Sequence, residues 1–340
     1  MDTASLLARF PLDLHWPTTD PFLFCAHHHD RYPKGDGALG PAATLGGRDL
    51  GQDFAGKDGW RMYHGRHVPG FPQHPHRGFE TITIVRSGFC DHSDSLGAQA
   101  RFGAGDVQWV TAGRGIVHAE MFPLLRVDAD NPLELFQVWL NLPRAEKMAE
   151  PSFTMQWREQ VPVKTVRDPA GRAATITVVA GAFEEARALP PPPHSWAARP
   201  DSDVAVWLLR LEPGARLTLP RARRAGERAL YLYGSAGARV GNQRVGGGTG
   251  LRLRADSDVP LEAGPEPCEA LVLQGAPIGE PVAQYGPFVM TTREEIEAAF
   301  RDYRATGFGG WPFHDDDPVH GTKARRFARH PDGRVERPPE

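Results

Sequence analysis

The chain has 340 residues, of which 40% are hydrophobic and 24% charged, and this length suggests two domains. Its formal net charge of −3 and pI near 6.5 give no electrostatic reason to expect binding to nucleic acid or to an anionic membrane. No apolar run reaches the roughly 20 residues that span a bilayer, and the first residues lack a basic segment followed by a long apolar core.

Short runs rich in Val, Ile, Leu and Thr predict strands along most of the chain. The 37 glycines and 32 prolines that separate these runs are typical of the turns in an all-β barrel or sandwich. The clearest predicted strands, in chain order, lie within residues 81–88, 106–113, 135–142, 174–181, 203–211 and 269–276. We therefore predict an all-β fold.

The strand pattern pauses at residues 141–153 and then resumes, which indicates a domain boundary there. The proline run Pro190 to Pro193 is a second candidate linker. We rank it lower because it would leave the predicted strand at 174–181 on the N-terminal side of the boundary. It is more typical of a stiff loop inside the second domain.

One helix is predicted near the end of the sequence. Thr292 and Glu295 form a capping-box pattern, and Ile296 and Ala299 begin an apolar face that ends before Gly307. We expect this face to pack across a barrel or at the interface between domains. Residues 321–340 have little periodicity and predict an extended, solvated tail.

The strongest motif is HPHRGFETITIV, in which His74 and His76 are two residues apart. Residues i and i+2 of an extended chain project from the same face. If that parity continues, Glu80, Ile82 and Ile84 share the face of the histidines. The pattern then predicts a barrel interior that is apolar at one end and coordinating at its mouth.

The segment AGRGIVHAEMF repeats the two-residue spacing with His118 and Glu120. Two antiparallel strands would bring both pairs together. Three neutral imidazoles and one carboxylate suit Fe, Mn, Co, Ni, Cu or Zn better than Ca or Mg. Four protein ligands also leave positions on an octahedral ion for a substrate or dioxygen. We predict a transition-metal site made of His74, His76, His118 and Glu120.

Other polar clusters are weaker candidates. Successive residues of a strand point to opposite faces, so the run from His27 to Asp30 cannot bind one ion with all its histidines, and we expect a turn or the lining of a cavity mouth. His64 and His67 are close enough in sequence to orient a ligand. The run from Cys90 to His92 resembles a nucleophile and base, but adjacency supplies no such geometry, and we interpret it as a strand end.

The chain resembles the pirins, a branch of the cupin superfamily. The resemblance runs from about Asp20 to Pro312, and its blocks are HPHRGFETITIV, DSLG, GAGDVQWVTAGRGIVHAEM, LFQVWLNLPRAEKM and YGPFVMTTREEI. It implies two cupin (jelly-roll) β-barrels in tandem, with a C-terminal helix packing across them. It also implies that His74, His76, His118 and Glu120 occupy the positions that bind iron.

One alternative concerns the carboxylate ligand. In the general cupin pattern it follows the second histidine by four residues, which is Glu80 here, whereas the pirin pattern uses Glu120. We favour Glu120, with Glu80 as a group that orients a ligand histidine.

The resemblance and the patterns together give the expected organisation: a metal-binding barrel at 1–145, a barrel at 146–290, and a helix with an extended tail at 291–340. The second barrel has no histidines where the first has His74 and His76, which predicts one ion per chain. Because pirins are intracellular and the three cysteines are widely spaced, we expect reduced thiols and a cytoplasmic protein.

Several pirins are quercetin 2,3-dioxygenases and others are transcriptional co-regulators. The resemblance therefore implies an iron-dependent dioxygenase that takes a small aromatic substrate and dioxygen, with Glu120 as the catalytic group. The alternative is a metal-dependent regulator with a protein partner and no catalysis. A weaker third hypothesis is an isomerase or a simple metabolite binder, because the cupin fold does not fix function. Direct contact with nucleic acid or a membrane is not expected.

Overall fold

The computed structural model describes residues 6–234 and 236–339, and most of its regular structure is β-strand. Each of the six clearest predicted strands is confirmed, as β5, β8, β10, β13, β16 and β23. In the first part of the chain the strands are β1 Leu6–Pro11, β2 His15–Trp16, β3 Phe22–Tyr32, β4 Gly70–His76, β5 Phe79–Ser87, β6 Phe89–Asp94, β7 Gln99–Gly103, β8 Val107–Thr111, β9 Ile116–Met121, β10 Asn131–Asn141, β11 Ser152–Gln156, β12 Val163–Arg167 and β13 Ala173–Ala180. In the remainder they are β14 Ala182–Phe183, β15 Ala186–Arg187, β16 Ala205–Leu211, β17 Arg216–Leu219, β18 Glu227–Leu232, β19 Ala238–Val240, β20 Gln243–Val245, β21 Thr249–Arg254, β22 Val259–Ala263, β23 Cys268–Gln274, β24 Ala283–Tyr285, β25 Phe288–Met290, β26 Phe327–Arg329 and β27 Val335–Glu336.

The chain divides into two compact units, which we call the N-terminal and C-terminal barrels. The N-terminal barrel contains 27–137, 142–159 and 280–340, and the C-terminal barrel contains 1–26, 138–141 and 160–279. These bounds differ from the expected segments 1–145, 146–290 and 291–340. Strand β1 pairs with β21 in the C-terminal barrel, and β26 pairs with β7 in the N-terminal barrel. These two strands, which lie near the ends of the chain, thus pair with strands more than 200 residues away in the sequence.

The N-terminal barrel is built from two antiparallel sheets that enclose an apolar core. One sheet has the order β11-β8-β5-β10-β3, and the other has the order β27-β26-β7-β6-β9-β4. Alternate residues of each strand face the core: Val85 on β5, Val110 on β8, and Leu133 and Leu135 on β10 all belong to one buried cluster. The order of strands places β4 beside β9, the two strands that carry the histidine motifs.

The C-terminal barrel repeats the architecture. Its larger sheet has the order β1-β21-β18-β23-β16-β13-β12, and its smaller sheet has the order β17-β22-β19-β20. The facing sides contribute Leu, Ile, Val and Ala at every second position, together with Trp207 and Phe183, to one buried cluster. The expected all-β fold of two cupin barrels is confirmed.

The predicted helix, α1, spans Arg293–Thr306. The Thr292 hydroxyl accepts from the Glu295 backbone N–H, and the Glu295 carboxylate accepts from the Thr292 backbone N–H, so the capping box is confirmed. Gly307 ends the helix in the left-handed conformation, with φ 55°. The apolar face packs on β25 through Ile296 and Ala299.

Among the described residues, no helix combines the length and the apolar character that crossing a membrane requires. Cys25, Cys90 and Cys268 are all buried free thiols.

Candidate metal centre

The two histidine motifs meet through the pairing of β4 with β9. His74 lies directly opposite His118, and Phe71 lies directly opposite Glu120. Three residue steps on β4 therefore match two on β9, which is a β-bulge at Pro72 and Gln73. The bulge turns His74 and His76 to the face of β4 that His118 and Glu120 share on β9.

Three imidazoles converge at this point. One ring nitrogen from each of His74, His76 and His118 lies within 4.8 Å of the other two. Their ring centroids are 4.5 Å apart for His74 and His118, and 4.9 Å apart for His76 and His118. His118 is fully buried and His76 is 5% exposed, whereas His74 is partly exposed. This spacing suits three nitrogens that bind one ion.

Backbone carbonyls orient two of the rings. His74 Nδ1–H donates to Pro72 O at 2.9 Å, and His76 Nδ1–H donates to Pro287 O at 3.4 Å. Since a carbonyl can only accept, these bonds place the proton on Nδ1 and leave the lone pair on Nε2. A hydrogen bond from the second ring nitrogen is the usual support of a metal-binding histidine.

His118 supplies the clearest sign that the cluster fits an ion. Neither of its ring nitrogens has a hydrogen-bond partner in the described part of the chain, although the side chain is fully buried. Buried polar atoms are normally paired, so this ring requires another partner. Burial lowers the pKa of His74 to about 4 and holds the pKa values of His76 and His118 well below the ordinary value. Neutral imidazoles are the form that binds a transition metal.

The Glu120 carboxylate lies beside this cluster and is held from the opposite sheet. It accepts from the Thr83 hydroxyl at 3.1 Å and from Gln137 Nε2 at 2.7 Å. Its Oε2 lies 3.8 Å from His118 Nε2. Burial raises the pKa of Glu120, while the nearby His92 and the bonds from Gln137 and Thr83 lower it. A short movement of this carboxylate would add an anionic oxygen to the three nitrogens.

The parity expected for Glu80, Ile82 and Ile84 is wrong. Thr83, on the opposite face of β5, is the residue that reaches Glu120. Glu80 lies opposite Thr111 and accepts from its hydroxyl at 2.7 Å. Parity holds only along one uninterrupted strand, and the chain turns from β4 into β5 of the other sheet at Gly78, whose φ is +86°. Glu80 therefore does not share the histidine face.

The histidines at 27–29 lie on β3, not in a turn. His27 Nε2 contacts Glu134 Oε1 at 3.1 Å, and His28 packs among Tyr63, Phe71 and Phe122. The expected alternation of faces is visible, because His28 is 6% exposed and its neighbours on the strand are more accessible.

His64 and His67 take different positions around the loop before β4. His64 Nδ1 bonds to Gly51 O at 2.7 Å, and its ring lies 5.6 Å from Phe71, a neighbour of His74. His67 is exposed and lies 3.5 Å from Asp36. His64 is thus near the cluster, and His67 faces solvent.

The interpretation of Cys90 to His92 as a strand end is wrong, since these residues lie inside β6 and are fully buried. Asp91 forms two hydrogen bonds of 2.6 Å with Arg101, and both side chains are fully buried. His92 lies opposite Glu120 and bonds through Nε2 to Asp94 Oδ2 at 2.9 Å. The segment thus places a buried ion pair, Asp91 with Arg101, on the same strand as His92, which lies beside the histidine cluster.

The described residues from 321 to 339 are mostly exposed and partly extended, as β26 and β27, and the segment just before them contacts the N-terminal barrel. Asp316 accepts from the backbone N–H and the side-chain amide of Gln73, in the bulge beside His74. His320 donates its backbone N–H to Asp91, and its Nε2 bonds to His92 O at 2.8 Å. The tail then forms β26 and β27. These contacts join the segment to β4, β6 and β7 of the N-terminal barrel.

Sequence reasoning missed Thr83, Gln137 and the aromatic residues near His74. Phe71 lies 6.2 Å from His74 between ring centroids and 5.0 Å from Tyr63. Thr83 and Gln137 could have been found only by knowing which face of β5 and β10 points inward. Val85 and Leu135, two residues away on the same strands, carry that signal in the form of ordinary apolar alternation.

Two barrels of this topology, one with a cluster of three histidines on two neighbouring strands, define a cupin. Residues 47–140 match the sequence family described as Pirin, and residues 206–309 match the Pirin C-terminal cupin domain. The chain belongs to the pirin family.

Relatives and solved structures agree with this assignment. A Pseudomonas aeruginosa protein named "Putative quercetin 2,3-dioxygenase" is 38% identical over 242 residues, which cover 70% of this chain and 80% of that protein. Human pirin is 33% identical over 247 residues, covering 71% and 79%. The crystal structure of a quercetin 2,3-dioxygenase from Acinetobacter baumannii has a TM-score of 0.70 at 26% identity, covering 90% of this chain and 98% of that one.

Proposed function

We propose that the chain is a metal-dependent dioxygenase that acts on flavonol-type aromatic compounds, with one iron ion held by His74, His76, His118 and Glu120. The observation that carries the proposal is the convergence of three neutral imidazoles, one of which, His118, has no partner for either ring nitrogen among the described residues. The names of relatives in the same family support the reaction type and the substrate class.

The residues around the cluster have separate roles in this proposal. Pro72 O and Pro287 O fix the rings of His74 and His76 with Nε2 toward the ion. A redox-active ion bound there supplies Lewis acidity and a path for electrons between substrate and dioxygen. His118 gives the third nitrogen, and three nitrogens with one carboxylate leave positions for exogenous ligands.

Glu120 is the group placed to handle a proton. Its carboxylate is 2% exposed and is held by Thr83 and Gln137, so it can either stay on the ion or accept the hydroxyl proton of a flavonol. Phe71 offers an aromatic surface beside His74 on which a planar substrate can pack.

The test is dioxygen consumption by the iron-loaded protein supplied with quercetin. We expect consumption with the wild type and none above background with His76→Ala, since that change removes one nitrogen of the cluster. His67→Ala is the matched control, because His67 is an exposed histidine of the same barrel, and its rate should equal that of the wild type.

Elemental analysis of the same samples should give one ion per chain for the wild type and for the control variant. No consumption with any of several flavonols and several reconstituted metals would contradict the dioxygenase proposal. If the oxidation state of the ion then changed binding to a protein partner, the regulatory function would replace it.

A further inference from the structure

A buried lysine joins two chain segments of the N-terminal barrel that meet at the histidine cluster. Lys147 is 1% exposed, although it lies in the connection between β10 and β11. Its Nζ donates to Gly78 O at 2.8 Å and to Val289 O at 3.1 Å. Removing an ammonium from water is costly, so these charge-assisted bonds have to compensate for its burial.

The two segments that Lys147 joins are 76–78 and 287–289, and they run parallel to each other. The Val289 N–H donates to Arg77 O at 3.0 Å. The approach at the next residue is close, because a Cβ added to Gly78 would overlap Val289 O. Only glycine therefore allows the two backbones to come this near, and its φ of +86° has the same requirement.

The close approach brings two acceptors to one place. Gly78 O and Val289 O cannot bond to each other, since a carbonyl only accepts. Both residues are buried, so each carbonyl needs a donor from the protein. The Lys147 ammonium donates to both and thereby links the segments. Loss of this donor would leave two buried acceptors without it, which favours separation of the segments.

The orientation of His76 depends on this link. Its Nδ1–H donates to Pro287 O at 3.4 Å, which is long for a hydrogen bond. His76 lies two residues before Gly78, and Pro287 lies two residues before Val289. Separation of the segments would therefore lengthen the bond further and release the ring, which could then rotate or exchange its tautomer.

His74 provides an internal comparison, because its ring is supported in a different way. Its Nδ1–H donates at 2.9 Å to Pro72 O, which belongs to the same strand, β4. That contact includes neither of the carbonyls that Lys147 joins. A change at Lys147 should therefore affect the ring of His76 and leave the ring of His74 in place.

We propose that Lys147 is a positioning residue of the metal centre, which holds His76 in its metal-binding orientation by joining Gly78 to Val289. It acts through Pro287 and does not touch the ion. The inference rests on the metal site of the proposed function and not on the dioxygenase reaction. Metal binding by the wild type tests the site itself, whereas the variants below test only the role of Lys147.

The first experiment is nitrogen-15 NMR of the histidine rings in the metal-free full chain. In the wild type both His74 and His76 should carry the proton on Nδ1, because a carbonyl accepts from each. In Lys147→Met we expect His76 to become a mixture of tautomers with faster exchange of its ring N–H, and His74 to keep its wild-type signals. An unchanged His76 would overturn the proposal. So would an equal change at both rings, which would indicate a general loosening of the barrel.

The second experiment is binding of Co²⁺, followed by its visible absorption in competition with a chelator. Lys147→Met should bind Co²⁺ about 10-fold more weakly, as expected for loss of a group that supports a metal ligand, and its absorption spectrum should change with the position of one nitrogen. Lys57→Met is the matched control, because Lys57 Nζ also donates to a carbonyl, Gly46 O at 2.7 Å, but is exposed; it should bind like the wild type. Wild-type affinity and spectrum in Lys147→Met would refute the assignment.

Lys147→Gln guards against misfolding as an explanation. Glutamine keeps an N–H donor on a shorter, neutral side chain, so it should weaken Co²⁺ binding less than methionine does, by about threefold. Circular dichroism of each variant verifies the fold. If Lys147→Met does not fold, Lys147→Gln carries both measurements, and its change in the NMR signals should again be confined to His76. Weaker Co²⁺ binding without any change at His76 would refute the role of Lys147.

Discussion

Replacement of Glu120 by Gln tests whether this carboxylate, and not Glu80, completes the metal site. Glu120 lies 3.8 Å from His118 Nε2 and is held by Gln137 Nε2 at 2.7 Å. Glu80 lies on the face of β5 opposite to Thr83, the residue of β5 that bonds to Glu120. The two acids are equally deep in the barrel, at 2% and 0% exposure, so burial alone does not distinguish their variants.

The expected losses follow from these contacts. Glu120→Gln removes the anionic oxygen beside three nitrogens, and we expect the affinity for Fe²⁺ to fall by about 100-fold or more. Loss of a group that only supports a metal ligand typically lowers metal affinity by about 10- to 100-fold. Such a fall corresponds to about 2.8 kcal/mol. Gln137→Met removes one hydrogen bond to the carboxylate and should cost about tenfold. Glu80→Gln should change affinity less than about threefold, because it does not face the site.

Competition with a chromophoric chelator under anaerobic conditions measures all three variants on one scale. Circular dichroism of each protein before titration verifies that the barrels are folded. The reasoning predicts the order Glu120→Gln, then Gln137→Met, then Glu80→Gln, from the largest loss to the smallest. A larger loss for Glu80→Gln than for Glu120→Gln would refute it and would move the carboxylate ligand to the general cupin position.

Two further predictions concern buried charges near the site. Arg101→Met leaves Asp91 without its buried partner and should lower the free energy of unfolding by about 3–5 kcal/mol. The control Arg254→Met, at an exposed ion pair, should lower it by less than about 1 kcal/mol, and equal losses in urea unfolding would contradict this. Burial lowers the pKa of Lys147 from its ordinary 10.5 to about 8. Between pH 8 and 10.5 the unfolded state therefore binds more protons than the folded state, and the free energy of unfolding should rise with pH across that window by about 3 kcal/mol. Lys147→Met should lack this rise, and an identical pH profile in variant and wild type would show that the burial of the ammonium has no such effect.

The sequence determined the features that depend on local spacing. Alternation of apolar residues was sufficient for the six clearest strands, and the pair Thr292 and Glu295 was sufficient for the start of α1. The His-x-His and His-x-Glu pairs placed each pair on one face of a strand, since that relation needs no information beyond two residues. Two antiparallel strands were expected to bring these pairs together, and the pairing of His74 with His118 bears this out.

Only the tertiary structure decided which faces meet. The turn at Gly78 carries β5 into the other sheet, which removes Glu80 from the histidine face and brings Thr83 to Glu120. Parity counted along the sequence cannot anticipate this, because a turn with positive φ resets the direction of every later side chain. Register is a second feature beyond local reach, because His74 faces His118 only through the bulge at Pro72 and Gln73, which no spacing in the sequence marks.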